Sequence, residues 1–316
     1  MTTSIWTRRM NYLLRPSSII VTFGGLSAWT TISYIMNKRK KETFIQHSKL
    51  FTADQESLAF EQTLSRISLP KTHKRAILFI TGFARFPNDF DPLLKLLPPD
   101  AIYLVPRLVG WGKLSFDSLD SICWKDWALQ IDEAFSILSA LADEVVVVAH
   151  SMGCNLASIL AARHKISFLY MLAPNMLPSK KHRIIKRMFS SPAGILLKYI
   201  FPLVPFTSSE LLAHSRYTGY VNYVIPTSAL REMWKLQDAC SLKWKDVGEV
   251  YLVMDPRDKM VAGPVQQKAV LEALSGHRVI EKLVPHAGHN IVVVGVANHW
   301  LAEQLSCLQT IDDTDV

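Results

Sequence analysis

The chain has 316 residues, with 35 Lys and Arg against 27 Asp and Glu for a net charge of +8, and 49% of its residues are apolar. That length and apolar content suit one large domain or two small ones with a sizeable core, and exclude a disordered chain. Thirteen Gly and 16 Pro without a period exclude collagen-like and low-complexity chains, while four scattered cysteines without a CxxC pair argue against a disulfide scaffold or a cysteine zinc site and favour a reducing compartment.

Residues 1–41 contain no Asp or Glu but carry Arg8, Arg9, Arg15, Lys38, Arg39, Lys40 and Lys41. Between these basic flanks run residues 17–36, uncharged throughout. A helix of that length rises about 30 Å, the thickness of a bilayer's hydrocarbon core. The segment reads as a retained single-pass membrane anchor after a basic segment, 1–16. Two other readings stay open: a mitochondrial targeting segment, since the stretch is rich in Arg, Ser and Thr, and a peripheral or buried helix. The basic cluster at 38–41 leans the larger domain towards the cytoplasmic side. Residues 37–74 read as a basic linker with a lead-in helix.

From residue 75 strands and helices alternate. Apolar runs predict strands at Ala76–Thr81, Ile102–Pro106, Glu144–Ala149, Ile166–Leu172, Val250–Met254 and Val279–Leu283. The β-branched run EVVVVA marks a strand buried on both faces. Helical patterns cover Trp124–Leu141, Ser151–Arg163, Pro264–Leu274 and Asn298–Leu308. The alternation predicts an α/β domain over residues 75–308, a mostly parallel sheet with helices on both faces, followed by a tail at 309–316. One interval, about 175–246, shows no clear central strand and reads as an inserted helical cap over the carboxyl ends of the strands, where open α/β sheets bind ligands. It opens with KKHRIIKRMF, whose mixture of Lys180, Lys181, His182, Arg183, Lys186 and Arg187 with apolar residues suits either an anionic membrane surface or a phosphorylated acyl carrier, as well as a solvated helix packed by its apolar side.

The third predicted strand runs directly into a helix through His150-Ser151-Met152-Gly153. A strand turning this sharply into a helix strains its central residue and projects the Ser151 hydroxyl from the top of the sheet, at a helix N-terminus that favours a developing anion. Gly153 is expected because a side chain there would collide with the strand as the turn tightens.

This block resembles the α/β-hydrolase superfamily, in its capped monoacylglycerol lipase and carboxylesterase-like branch. The likeness spans about 75–308 and includes LFITGF, PRLVGWG, the WKDW helix start, AHSMG, and two later loops. It departs from the usual G-x-S-x-G motif by Ala149 at the first position. The resemblance implies a Ser-acid-His order along the chain. The family's acid loop matches Asp258, with Asp255 as rival because it stands where the pattern has Gly. The Gly-His pair falls on Gly288-His289, which makes His289 the implied base, whereas His286 reads as a surface or loop-packing residue and His150 as a packing or hydrogen-bonding one. The implied oxyanion hole uses the backbone amides of Phe83 and Met152. Thr81 stands where most relatives have His, and Arg85 reads as a solvated loop residue or a contact for an anionic substrate group.

These residues imply a serine hydrolase, with Ser151, His289 and Asp258 forming an acyl-enzyme on an ester, most readily of lipid type. No metal or organic cofactor is required. A thioesterase or acyltransferase with the same triad, and a silent scaffold binding an acyl ligand or protein partner, are the alternatives. Absence of a G-x-x-x-x-G-K-[ST] loop, a G-x-G-x-x-G turn, HExxH and H-x-x-x-x-D argues against nucleotide, zinc-protease and acyltransferase-signature chemistry. Basic residues without interleaved aromatics argue against nucleic acid as a partner.

Overall fold

The computed structural model describes residues 66–68, 75–111, 122–177, 180–191, 203–205, 224–242, 244, 246–258 and 263–310. The strands are β1 (Arg66–Ser68), β2 (Arg75–Ile80), β3 (Ile102–Val105), β4 (Glu144–His150), β5 (Ile166–Leu172), β6 (Leu203–Pro205), β7 (Val224–Pro226), β8 (Val247–Met254) and β9 (Arg278–Leu283). The helices are α1 (Asp91–Leu94), α2 (Trp124–Ser139), α3 (Gly153–Ala161), α4 (Lys180–Ser190), α5 (Thr227–Ala239), α6 (Pro264–Ala273), α7 (Ile291–Val294) and α8 (Asn298–Thr310).

Seven strands form one sheet in the order β1-β3-β2-β4-β5-β8-β9. Only β1 runs antiparallel to its neighbour; all other pairs in this sheet are parallel. Alternate side chains of the central strands point to opposite faces, and both faces are covered. Leu78 and Ile80 of β2 join Val147 and Ala149 of β4 against Trp127 and Ile131 of α2 and Leu156 and Leu160 of α3. Ile77 and Phe79 join Val146 and Val148 on the other face, against Ile291 of α7 and Leu301 and Leu305 of α8. A strand buried on both sides must be apolar at every position, which accounts for EVVVVA at the sheet's centre.

Residues 66–68, within the expected linker, form an edge strand instead of helix, and Arg66 Nε donates to Asp91 Oδ1 at 3.0 Å. A three-residue edge strand is too short to leave a periodicity in the sequence. Between β5 and β8, α4 and α5 flank a small antiparallel pair, β6-β7, and no described strand of this interval joins the main sheet. Phe189 of α4 packs on Trp234 of α5 with ring centres 5.8 Å apart. The predicted span at 17–36 lies outside the described residues; among the described residues no helix is long and apolar enough to cross a membrane.

Because β2, β4, β5, β8 and β9 are parallel, their carboxyl ends share one edge. The loops at 81–86, 151–152, 173–177, 255–258 and 284–290 all leave from that edge. The residues singled out in the sequence come together there.

Candidate active site

β4 ends at His150 and α3 begins at Gly153, so Ser151 and Met152 make the whole turn. The expected helical start at Ser151 gives way to a residue with φ of +54°. A side-chain-bearing residue in the left-handed region costs on the order of 1–3 kcal/mol and persists only where its surroundings over-determine it. Here they do. Ser151 N–H donates to Leu172 O at 2.9 Å, while Ser151 O accepts from Cys154 N at 3.1 Å and from Asn175 N at 3.2 Å.

Gly153 faces the end of β2. A Cβ at this position would stand 2.4 Å from Ile80 O and 2.8 Å from Thr81 O, both backbone atoms that cannot swing aside. Gly153→Ala is therefore expected to lower stability by on the order of 1–3 kcal/mol, as forced overpacking does. A thermal unfolding midpoint equal to wild type would show that the turn has room after all.

The buried His289 ring joins the turn to the loop after β8. Its Nδ1 lies 2.8 Å from Asp258 Oδ2 and its Nε2 lies 2.8 Å from Ser151 Oγ. A carboxylate only accepts, so Nδ1 carries the proton and Nε2 is left to accept the Ser151 hydroxyl. His286 is exposed and stands outside this line, with φ of +68°.

Asp255 is buried but differently engaged. Its Oδ1 accepts from Arg257 N at 2.8 Å and its Oδ2 from Gly288 N at 2.7 Å. It ties the acid loop to the histidine loop and does not reach the imidazole, so of the two candidate acids the geometry brings Asp258 to His289.

The two implied oxyanion donors flank Ser151. Met152 N opens the first turn of α3, where backbone amides lack an intrahelical acceptor. Gly82, just before Phe83, is so close to the turn that a Cβ on it would lie 3.1 Å from Ser151 Cβ. The Phe83 ring meets Trp111 edge-on at 5.1 Å, Trp111 stacks on Trp127 at 6.0 Å, and Trp127 Nε1 donates to Val109 O at 3.0 Å. Trp111 and Trp127 thus serve as an aromatic clamp on the loop that carries the Phe83 amide.

The family model described as "Alpha/beta hydrolase family" matches residues 77–304. The chain belongs to the alpha/beta hydrolase family. Among solved structures it is similar to the metagenome-derived lipolytic enzymes LipS and LipT, at 14% identity and a TM-score of 0.61 over 78% of this chain and 97% of that one. It is similar to a monoacylglycerol lipase of Paleococcus ferrophilus, at 16% identity and a TM-score of 0.54 over 76% and 98%. A third is alpha/beta hydrolase domain-containing protein 10 from mouse, at 18% identity and a TM-score of 0.51 over 77% and 92%. No curated protein matches the chain.

Within this alpha/beta hydrolase, the neighbours of the Ser151–His289–Asp258 line were the least legible part. Arg85, read as a solvated loop residue or a contact for an anionic substrate group, is not solvated. It is buried, lies 3.9 Å from Asp89 through its Nε, and donates through Nη2 to Asn290 Oδ1, the residue after His289. Its partner is remote in sequence, so no local pattern announces the burial. Thr81 is fully buried, and its Oγ1 finds no hydrogen-bond partner among the described residues. Cys154, three residues past Ser151, is buried with its thiol pushed up by desolvation, which keeps it in the unreactive thiol form.

His150 supports the histidine loop from below. Its Nε2–H donates to the His289 carbonyl at 2.8 Å. Burial first, then the charges of His289 and Arg85, lower its pKa from 6.5 to about 3, so the ring is neutral where it packs. The sign of the linkage follows. A folded value below the unfolded one means that the unfolded chain takes up the proton first, so stability is complete above 6.5 and declines as pH falls towards 3. His150 alone is expected to remove roughly 2–3 kcal/mol between about pH 7 and about pH 4.5. His150→Gln keeps a donor without the titration, and its unfolding free energy should fall less over that interval. Parallel pH curves for the two proteins would refute this role.

Proposed function

We propose that the protein is a serine ester hydrolase that cleaves carboxylic esters of lipid type. The observation that carries this reading is the unbroken line from Ser151 Oγ through the His289 ring to Asp258, with 2.8 Å at each junction. Ser151 Oγ attacks the acyl carbonyl while His289 Nε2 takes its proton, and Asp258 stabilises the imidazolium that results. The negative charge on the carbonyl oxygen is met by the amides of Phe83 and Met152. Collapse breaks the ester C–O bond, and the proton on His289 passes to the departing alcohol. Water then enters along the same path and releases the acid, restoring Ser151.

The lipid-type substrate is supported by the interval between β5 and β8, read as a cap. Its first residues after Asn175 are the apolar Met176 and Leu177, and Asn175 N donates to Ser151 O at 3.2 Å.

Fluorophosphonate labelling tests the reading most directly, because the reagent marks a serine only where a base has activated it. The full chain should gain a single adduct by intact mass, and Ser151→Ala should gain none. Turnover of p-nitrophenyl esters should rise with acyl length across a panel that also includes acyl thioesters. A folded wild type without adduct or turnover would end the ester-hydrolase reading.

A further inference from the structure

A cavity of about 400 Å³ lies between α4, α5 and the loop after β5. That volume is within the range of small-molecule sites. Its lining divides by polarity. Met176 and Leu177 of the loop after β5 are apolar, Arg183, Lys186 and Arg187 of α4 are cationic, and Asp238 of α5 is the one acid among the described lining residues. The floor is anchored to the site chemistry. Gln237, which also lines the cavity, donates from Nε2 to Asn175 O at 3.0 Å, and Asn175 N–H donates to Ser151 O at 3.2 Å. Met176 is the next residue along the chain.

The three cations are not equivalent. Lys186 Nζ pairs with Asp238 Oδ1 and lies 3.4 Å from Gln237 Oε1, so its charge is matched within the lining. Arg183 and Arg187 are both exposed, and among the described residues no carboxylate engages either. Four residues apart on α4, they stand on one helix face, where two guanidinium forks can converge on one anion. Planar guanidinium groups bind phosphate oxygens in paired hydrogen bonds, which a lysine cannot reproduce.

We infer that this cavity holds a phosphate group on the leaving-group side of the substrate, so that the preferred ester is an anionic, phosphate-bearing acyl ester and not a neutral glyceride. The inference rests on the ester-hydrolase reading and deepens it. An amphiphile with its acyl carbonyl at Ser151 would lay apolar atoms over Met176 and Leu177 and bring its phosphate to Arg183 and Arg187. Such chemistry has two sources, a lysophospholipid headgroup or a phosphorylated thiol carrier, and binding separates them.

The experiment compares kcat/KM for lauroyl glycerol phosphate and for lauroyl glycerol in the full chain. Wild type should favour the phosphate ester by about a hundredfold, and Arg183→Gln/Arg187→Gln should lower that ratio about tenfold per guanidinium removed, to near one. Arg183→Lys/Arg187→Lys, which keeps the charge but not the fork, should retain part of the preference. Equal turnover of the two esters by wild type, or an equal fall on both in the glutamine variant, would overturn the inference while leaving the hydrolase reading in place. Calorimetry on Ser151→Ala supplies the arm that does not depend on turnover. Lauroyl glycerol phosphate should bind that variant and inorganic phosphate should compete, with both effects lost when the arginines become glutamine. If that binding is seen but neither ester is cleaved, the anion site stands and the hydrolase reading falls. Tighter binding of lauroyl coenzyme A than of lauroyl glycerol phosphate would support the site with the carrier as its source.

Discussion

Ser151→Ala should lower ester turnover by about 10⁴–10⁶-fold and leave the protein folded. The size of the loss follows from what the hydroxyl does. It lies 2.8 Å from His289 Nε2, the base that would take its proton. Without it, catalysis falls to what the backbone amides of Phe83 and Met152 and substrate positioning supply to attack by water. The fold should not notice the change. Ser151 is held by its backbone, through bonds to Leu172, Cys154 and Asn175 that alanine makes equally well. Its φ of +54° strains alanine as it strains serine. Stability within about 1 kcal/mol of wild type is therefore expected. Initial rates on a p-nitrophenyl ester, read beside a thermal unfolding curve, check both halves. A folded variant that keeps a tenth of wild-type turnover would mean that another group is the nucleophile.

The legibility of this molecule tracks how local each physical cause is. The parallel strands announce themselves because a strand covered on both faces has to be apolar throughout, and Val145 to Ala149 could hardly be anything else. The nucleophile turn is legible for a related reason: Gly153 meets the Ile80 and Thr81 carbonyls, so the tightest contact of the site falls on a residue type visible in the sequence. Asp258 and His289 were indicated by a family pattern, and the structure adds what the pattern lacks, namely that Asp255 is spent on Arg257 N and Gly288 N. The unread parts are those whose partners are remote or are backbone. Arg85 meets Asn290 across 205 residues, and His150 binds a carbonyl, which has no residue identity to recognise. Strands β1, β6 and β7 are three residues each, below the length at which alternation can be seen. The arginines of α4 were legible as charge, but only the fold sets them in the lining of a cavity shared with Met176 and Gln237.

Replacing the two neighbouring aspartates separates their roles by different observables. Asp258→Asn should reduce kcat by about 10⁴-fold with little effect on stability. An amide can turn its NH₂ towards His289 Nδ1, which then becomes an acceptor, and the ring proton moves to Nε2. There it faces the Ser151 hydroxyl as a donor, and the serine has no base. Asp255→Asn should do the opposite. Both carboxylate oxygens of Asp255 are taken, one by Arg257 N at 2.8 Å and one by Gly288 N at 2.7 Å. An amide offers one oxygen, so one buried backbone N–H is left facing an NH₂ group at a cost of about 1–3 kcal/mol. Turnover should fall far less, on the order of tenfold, because the His289 ring is still oriented by Asp258 while its loop loosens. The thermal midpoint therefore moves with position 255 and kcat with position 258. If kcat collapsed for Asp255→Asn and survived in Asp258→Asn, the carboxylate beside Gly288 would be the acting acid, and the 2.8 Å contact between Asp258 and His289 would be structural only.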